Sequence, residues 1–98
     1  MKTVTAQKNP IIPNAGVCDP HVHVFEGKLW LYASHDASPD NGDFAMHDWQ
    51  IWSSEDAVKW TLEATVRPED THMGASSSCW AVDCAERGGK YYFYFGIG

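Results

Sequence analysis

The sequence predicts an all-β protein built from repeated modules, and three observations carry this prediction. Two aromatic hairpins recur along the chain, no stretch shows helical periodicity over three turns, and turn-forming residues separate short apolar runs. Each hairpin has the same order of features: an acid, an extended run, a Gly-Lys turn and an aromatic strand. The second copy follows the first after about 60 residues, and such a spacing indicates a repeat architecture.

The strands follow from local patterns along the chain. In the first hairpin, apolar and aromatic residues occupy both faces, as expected of strands that are covered on two sides. The last strand of the first set alternates polar and apolar side chains and is therefore predicted to be an outer edge strand. The six predicted strands are residues 20–26, 28–35, 49–54, 60–66, 80–87 and 90–96.

Four antiparallel strands followed by a hairpin match one four-stranded blade of a β-propeller and the first hairpin of the next blade. We therefore divide the chain into an irregular lead-in at 1–16, a first blade at 17–66, and a loop with the first two strands of a truncated second blade at 67–98. The loops at 36–47 and 67–79 make this repeat longer than the roughly 40–50 residues of short-loop propellers.

Charge and aromatic content narrow the range of partners. The formal net charge is −6 and the seven Lys and Arg are scattered, which argues against nucleic acid, because phosphate contacts need clustered basic residues. No apolar run approaches the length of a transmembrane helix, so no membrane partner is predicted. Five Trp exceed what the core of so short a chain needs, and aromatic faces are typical of surfaces that stack on sugars. The predicted partner is a carbohydrate.

The cysteines and the N-terminal residues indicate the cellular compartment of the protein. Cys18, Cys79 and Cys84 are odd in number and lack framework or C-x-x-C spacing, so neither a disulfide scaffold nor a zinc ribbon is predicted. The N-terminal residues show no apolar h-region of a signal peptide. Both observations favour a reducing compartment, with the cytoplasm as the expected location.

The two acids Asp19 and Asp83 precede the Gly-Lys turn in the first hairpin of each module and are therefore expected in equivalent places. Because Pro20 follows it, Asp19 also fits a plain turn that leads into a strand. The spacing Asp19-x-His21-x-His23 further fits the start of metal-dependent amidohydrolases, since His residues at i and i+2 point the same way and could bind zinc. Amidohydrolases need a barrel of alternating strands and helices, whereas this chain indicates β-hairpins.

A set of short motifs runs in order through residues 15–96. They are residues 19–25 (DPHVHVF), 29–36 (LWLYASHD), 49–54 (WQIWSS), 58–60 (VKW), 80–83 (WAVD) and 89–95 (GKYYFYF). Each motif alone is weak. The ordered set resembles glycoside hydrolase family 43, whose members are five-bladed β-propeller enzymes that act on arabinans, xylans and related plant polysaccharides.

The resemblance implies an inverting glycosidase with divided roles for its carboxylates. Asp19 matches the general base that activates water, and Asp83 matches the residue that tunes the pKa of the general acid and orients the substrate. Val82 departs from the Pro that the family usually has there. The general acid is a Glu on the third blade, beyond Gly98, so the chain alone is expected to be inactive, because inversion needs both carboxyl groups. A calcium ion on the axis of the complete propeller is also implied, with its protein ligand outside this chain, and no metal or cofactor is assigned here.

Trp80, His35 and Asp36 are the predicted substrate-binding residues. Trp80 either stacks on a sugar ring or packs between blades, and His35 and Asp36 form either a hydrogen-bonded pair near the sugar or a plain turn. The alternative to an enzyme is a non-catalytic carbohydrate-binding or assembly module. Because a blade and a half leaves strands unpaired, self-association through exposed strand edges is also expected.

Overall fold

The structure is a computed structural model that describes residues 3–5, 11–12, 15–38, 45–74 and 76–97. Within these ranges the regular elements are β-strands and one 3₁₀ turn, Pro68–Asp70, which confirms the all-β prediction. No helix in this described part is long and apolar enough to cross a bilayer. The strands are β1 (Thr3–Thr5), β2 (Val17–Phe25), β3 (Lys28–Asp36), β4 (Met46–Ser54), β5 (Lys59–Val66), β6 (Cys79–Arg87) and β7 (Lys90–Ile97).

The strands form two antiparallel sheets. The first has the order β1-β5-β4-β3-β2, and the second is the β6-β7 hairpin. Strands β2 to β5 therefore make the predicted four-stranded blade, with β2 at one edge. Strand β6 lies against β2, β3 and β4, so the hairpin packs on one face of the blade.

The structure differs from the sequence prediction in the lead-in, where an irregular segment was expected. Thr3–Thr5 form β1 and pair antiparallel with Lys59–Thr61 of β5. Three consecutive β-branched side chains favour an extended backbone, and pairing with β5 supplies the neighbour that so short a strand needs. Strand β5 is therefore hydrogen-bonded to β1 along its first half, and the prediction that β5 is the outer edge strand is wrong. Of the loop predicted at 36–47, residues 39–44 lie outside the described residues, and the described ends belong partly to strands, because β3 ends at Asp36 and β4 already begins at Met46.

Both predicted Gly-Lys turns close tight hairpins. Glu26 and Gly27 have φ of +52° and +76°, and Gly88 and Gly89 have φ of +60° and +79°. Two successive residues with positive φ are the signature of the turn whose twist matches that of paired strands. These turns fix the register of β2 against β3 and of β6 against β7.

The blade carries an apolar core on each face. The first core lies on the face away from the hairpin and consists of Ile12, Ala15, Leu31, Ala33, Trp52 and Trp60. The second core lies between the blade and the hairpin and consists of Tyr32, Met46, Trp49, Cys79, Val82 and Cys84. Because apolar side chains alternate between the two faces of β3 and β4, both cores draw on the same strands. The second core is what holds β6, and with it Asp83, against the blade.

Gly16 is expected to tolerate no side chain. It has a φ of +64°, and a Cβ there would lie 2.6 Å from the backbone oxygens of Asp36 and Ser38. Its own carbonyl accepts a hydrogen bond from the Asp36 amide at 2.8 Å. We expect Gly16→Ala to lower the free energy of unfolding by about 2 kcal/mol or more, through strain and overlap together. Urea denaturation measures this loss.

The matched control is Gly27→Ala. Gly27 also has positive φ, but a Cβ added there would meet no atom of the described residues within 4 Å. The control therefore isolates the conformational cost alone, about 1 kcal/mol. Equal losses for the two variants would contradict the close contact at Gly16.

Candidate functional site

Asp19 lies where β2 departs from regular pairing with β3. Cys18 pairs with Ser34 and His21 with Tyr32, so β2 contains one residue more than β3 over this stretch. Within this bulge Asp19 is exposed and has a φ of +49°. Aspartate is among the non-glycine residues that tolerate this conformation best. Because a bulge redirects the side chains around it, Asp19 departs from the alternation of the strand.

Asp83 lies on β6 and is held through one of its two carboxylate oxygens. Its Oδ1 is 2.5 Å from Nε2 of His23 and accepts a hydrogen bond from the Cys84 amide at 2.7 Å. The side chain is 46% exposed. The hydrogen bond from His23 lowers the pKa of Asp83 below its ordinary value, and the Cys84 amide and the nearby imidazoles of His23 and His21 act in the same direction. Asp83 is therefore ionised and accepts, so Nε2 of His23 carries the proton.

The contact between His23 and Asp83 brings the two predicted catalytic strands together. His23 stands on β2, the strand of Asp19, and Asp83 stands on β6 of the next sheet. The Asp-x-His-x-His spacing predicts only a possible zinc ligand at His23. The alternation of β2 puts His23 on the same face as Phe25, but it does not reveal the partner of His23 on β6.

His35 and Asp36 take different surroundings. Nδ1 of His35 lies 2.6 Å from Oδ1 of Asp48, its cross-strand partner on β4. On β2, the neighbouring strand on its other side, the cross-strand partner of His35 is Val17. Val17 packs against the core on the face of the blade away from the hairpin. Asp36 is 1% exposed and its Oδ1 accepts a hydrogen bond from the Ser38 amide. Both residues lie at the end of β3, and their predicted contact with substrate stays a prediction.

Trp80 presents its ring to solvent while its backbone is held. Its side chain is among the exposed large apolar residues, at 41%. Its carbonyl oxygen accepts a hydrogen bond from Nε1 of the buried Trp49 at 2.8 Å. The ring is therefore available for stacking three positions before Asp83, and its contact with a sugar stays a prediction.

An apolar cleft opens between the blade and the hairpin at the far end of β2. Its volume is about 420 Å³, and aromatic side chains such as Phe25, Trp30, Tyr91 and Phe93 line it. All the predicted site residues belong to the described part of the chain, and none of them lines this cleft. It lies beside the turn that follows Phe25, whereas Asp19 is near the start of the same strand. Phe25 and Cys84, which line the cleft, contact His23 and Asp83 respectively, so the cleft adjoins the candidate site without containing its acids.

The described residues offer no metal centre. Within these ranges no three His, Cys, Asp or Glu side chains converge into a set that could hold an ion. By themselves these residues form no site for the calcium ion that the family resemblance implies.

Comparison with known proteins decides the family. The family model described as "Glycosyl hydrolases family 43" matches residues 7–97. The chain belongs to glycosyl hydrolase family 43. This membership confirms the resemblance and the partial propeller, and it excludes the amidohydrolase alternative for Asp19, His21 and His23.

Relatives with curated names match the chain over most of its length. A "Xylosidase/arabinosidase" from Bacteroides ovatus is 37% identical over an alignment of 103 positions. The alignment covers 97% of this chain and 31% of the relative. "Xylosidase/arabinosidase 43A" from Humicola insolens is 39% identical over 97 residues, which cover 88% of this chain and 29% of the relative. The chain thus spans about a third of the length of these relatives.

Solved structures of family 43 share the fold. A β-xylosidase/α-arabinofuranosidase from a compost microbial metagenome, in complex with xylotriose and in a calcium-free form, superposes with a TM-score of 0.76 at 30% identity. The alignment covers 98% of this chain and 31% of that structure. A family 43 enzyme from Xanthomonas citri, complexed with xylotriose, gives a TM-score of 0.76 at 32% identity, over 95% of this chain and 28% of that structure.

Proposed function

We propose that this chain forms the first part of the active site of an inverting glycosidase that cleaves O-glycosidic bonds in xylose- or arabinose-containing saccharides. Asp19 is the general base and Asp83 tunes the pKa of the general acid and orients the substrate. The observation that carries the proposal is the His23–Asp83 contact of 2.5 Å, because it joins the strand of Asp19 to the strand of Asp83. The names of the relatives and the xylotriose complexes support the substrate class.

The setting of Asp19 suits a general base. A base that activates water needs an ionised carboxylate that water can reach, and Asp19 is exposed. Its place in a bulge turns the carboxylate out of the regular strand pattern, as expected of a residue that must reach a ligand beyond the sheet. On this proposal Asp19 removes a proton from a water molecule that attacks the anomeric carbon from the face opposite the leaving group.

The setting of Asp83 suits an ionised carboxylate that remains charged during turnover. A negative charge close to a carboxylic acid raises the pKa of that acid, which keeps the proton on the acid until the leaving oxygen needs it. The hydrogen bonds that lower the pKa of Asp83 keep it in the charged form. Neither aspartate is assigned as the proton donor, so the proposal requires a further carboxylic acid from a segment equivalent to a third blade.

A chimeric enzyme tests the proposal. The segment of the Humicola insolens xylosidase/arabinosidase that matches this chain is replaced by the chain itself, giving what we call the family 43 chimera. We expect it to hydrolyse 4-nitrophenyl β-D-xyloside or α-L-arabinofuranoside and to release sugar of inverted configuration. Proton NMR of the first-formed anomer measures the stereochemical outcome. The same enzyme with the segment deleted is the control and is expected to be inactive.

Two results would contradict the proposal. Retention of configuration would show that no water is activated by a general base in the first step. A chimera that melts cooperatively and binds xylotriose but hydrolyses neither substrate would favour the alternative, a carbohydrate-binding module without chemistry.

A further inference from the structure

Ser34 is a polar side chain in an otherwise aromatic row of β3. By the alternation of the strand it shares the face toward the hairpin with Trp30 and Tyr32. It is 1% exposed. A hydroxyl buried among apolar groups costs free energy unless it is hydrogen-bonded. The hydrogen bonds of Ser34 therefore indicate what a serine does at this position.

The Ser34 hydroxyl bonds to the backbone next to Asp19. Its Oγ lies 3.0 Å from the carbonyl oxygen of Cys18 and 3.4 Å from the Cys18 sulfur. A carbonyl oxygen only accepts, so the hydroxyl donates its one proton there and accepts from the thiol. Burial raises the pKa of the Cys18 thiol, so the thiol keeps the proton that it donates. The buried serine thus holds both the carbonyl and the side chain of Cys18.

The carbonyl that Ser34 holds belongs to the peptide group that ends at Asp19. Because a peptide group is planar, a hydrogen bond to its oxygen also orients the bond from the nitrogen to the Cα of Asp19. Beyond the bulge, His21 pairs with Tyr32. Pro20, which lies between, has no N–H to donate. The backbone of Asp19 is therefore fixed by Ser34 on one side and by the pairing of His21 on the other.

The conformation of Asp19 needs such support. Its φ of +49° is disfavoured by sterics for a residue that carries a Cβ. In the class of bulge that contains a left-handed residue, glycine usually fills that position. Residues in such conformations persist only where the surrounding structure holds them. A buried donor on the preceding carbonyl supplies a constraint of this kind.

We propose that Ser34 is a positioning residue for Asp19: by donating its hydroxyl proton to the Cys18 carbonyl, it holds the bulge in the conformation that presents the Asp19 carboxylate. In this role Ser34 acts through Asp19 and not on the substrate. The inference rests on the proposed function for its catalytic meaning, whereas the effect on the backbone is testable without turnover.

The first test is NMR spectroscopy of the full 98-residue chain. A residue with positive φ gives a strong NOE between its own amide and α protons, so this NOE reports the backbone of Asp19. We expect Ser34→Ala to weaken the NOE and to shift the carbonyl carbon resonance of Cys18, because the carbonyl loses its donor. A full-strength NOE in folded Ser34→Ala would overturn the inference.

The matched control is Ser53→Ala. Ser53 is a second buried serine of the blade, 3% exposed, and its hydroxyl donates to Glu63 at 2.5 Å. This variant is expected to leave the Asp19 NOE unchanged, and an equal weakening in both variants would contradict a specific role for Ser34. A measurement on the unaltered chain needs no substitution. Exchange of the Ser34 hydroxyl proton for deuterium is expected to shift the carbonyl carbon resonance of Cys18, and no shift would refute the hydrogen bond.

The second test is kinetic and uses the family 43 chimera. We expect Ser34→Ala to lower kcat by about tenfold with a smaller change in KM, since a catalytic group misplaced by about 1 Å can cost about 10²-fold. Because Ser34 acts through Asp19, Ser34→Ala is expected to cause no further loss in Asp19→Asn, where no base remains to be positioned. A role in stability alone would lower kcat by the same factor in both backgrounds.

The outcomes separate this inference from the proposed function. Parental kcat in Ser34→Ala, or equal losses with and without Asp19→Asn, would overturn the inference while hydrolysis by the family 43 chimera upholds the proposed function. A weakened Asp19 NOE together with a chimera that has no turnover would instead uphold the effect of Ser34 on the backbone and refute the proposed function.

Discussion

Replacing Asp19 with Asn in the family 43 chimera is expected to lower kcat by about a thousandfold and to leave KM near the parental value, because general base catalysis contributes roughly 10²–10⁴-fold. The amide is isosteric with the carboxylate but cannot accept the proton of the attacking water. Asparagine also tolerates a positive φ, so the +49° backbone at this position is preserved. Initial rates on the 4-nitrophenyl glycosides measure the loss.

The matched control is Glu55→Gln, which removes a carboxylate from the exposed turn between β4 and β5 and is expected to retain parental kcat. Sodium azide provides a further check, because azide is a nucleophile that needs no deprotonation. With Asp19→Asn it is expected to restore turnover and give a glycosyl azide of inverted configuration. Parental activity in Asp19→Asn, or failure of azide to change the rate of a folded variant, would contradict the assignment of the base.

Removing the Trp49 side chain is expected to separate the hairpin from the blade. Trp49 is fully buried, and its ring lies 5.6 Å from that of Phe93 and 5.0 Å from that of Phe95 on β7. Its Nε1 also donates to the Trp80 carbonyl. We expect Trp49→Ala to cost about 3–5 kcal/mol of unfolding free energy, the range for a large aromatic residue removed from a core. Small domains have only about 5–15 kcal/mol in total, so this loss is severe.

Two further variants separate packing from hydrogen bonding. Trp49→Phe keeps most of the ring volume and leaves the Trp80 carbonyl without its donor, and it is expected to cost less than Trp49→Ala. Trp80→Ala removes an equally large side chain from an exposed position and keeps the carbonyl, so a change within about 0.5 kcal/mol is expected. Urea denaturation followed by tryptophan fluorescence measures all three. Equal losses in Trp49→Ala and Trp80→Ala would contradict the role of Trp49 between the two sheets.

The strands of the blade and the hairpin turns could be predicted because their signals are local. Side-chain alternation and the turns at Glu26-Gly27 and Gly88-Gly89 depend on residues close in sequence. Strand β1 could not be predicted in this way, since a three-residue strand is too short for a pattern and is defined by its partner, Lys59–Thr61. Strand propensity there depends on a neighbour that lies far along the chain.

In the candidate site, too, local features could be predicted and contacts between distant residues could not. Asp19 and Asp83 could be singled out from their equivalent places in the two modules. The partners that hold polar side chains in place could not, because His23 and Asp83 are 60 residues apart and His35 and Asp48 are 13 apart. Only the packing of one strand or sheet against another decides which of several His and Asp residues meet. The sequence allows His35 and Asp36 to form either a hydrogen-bonded pair or a plain turn, whereas in the structure the imidazole of His35 contacts Asp48.

The unusual backbone at Asp19 has a consequence for comprehensive mutagenesis. In a library that samples every amino acid at this position, cellular abundance would follow backbone tolerance, with Asn and Gly enriched and Val and Ile depleted. Enzymatic selection of the same library would retain Asp alone. The amino-acid preferences measured by abundance and by activity would therefore differ strongly at Asp19, because several residues tolerate its backbone conformation but only aspartate can act as the base.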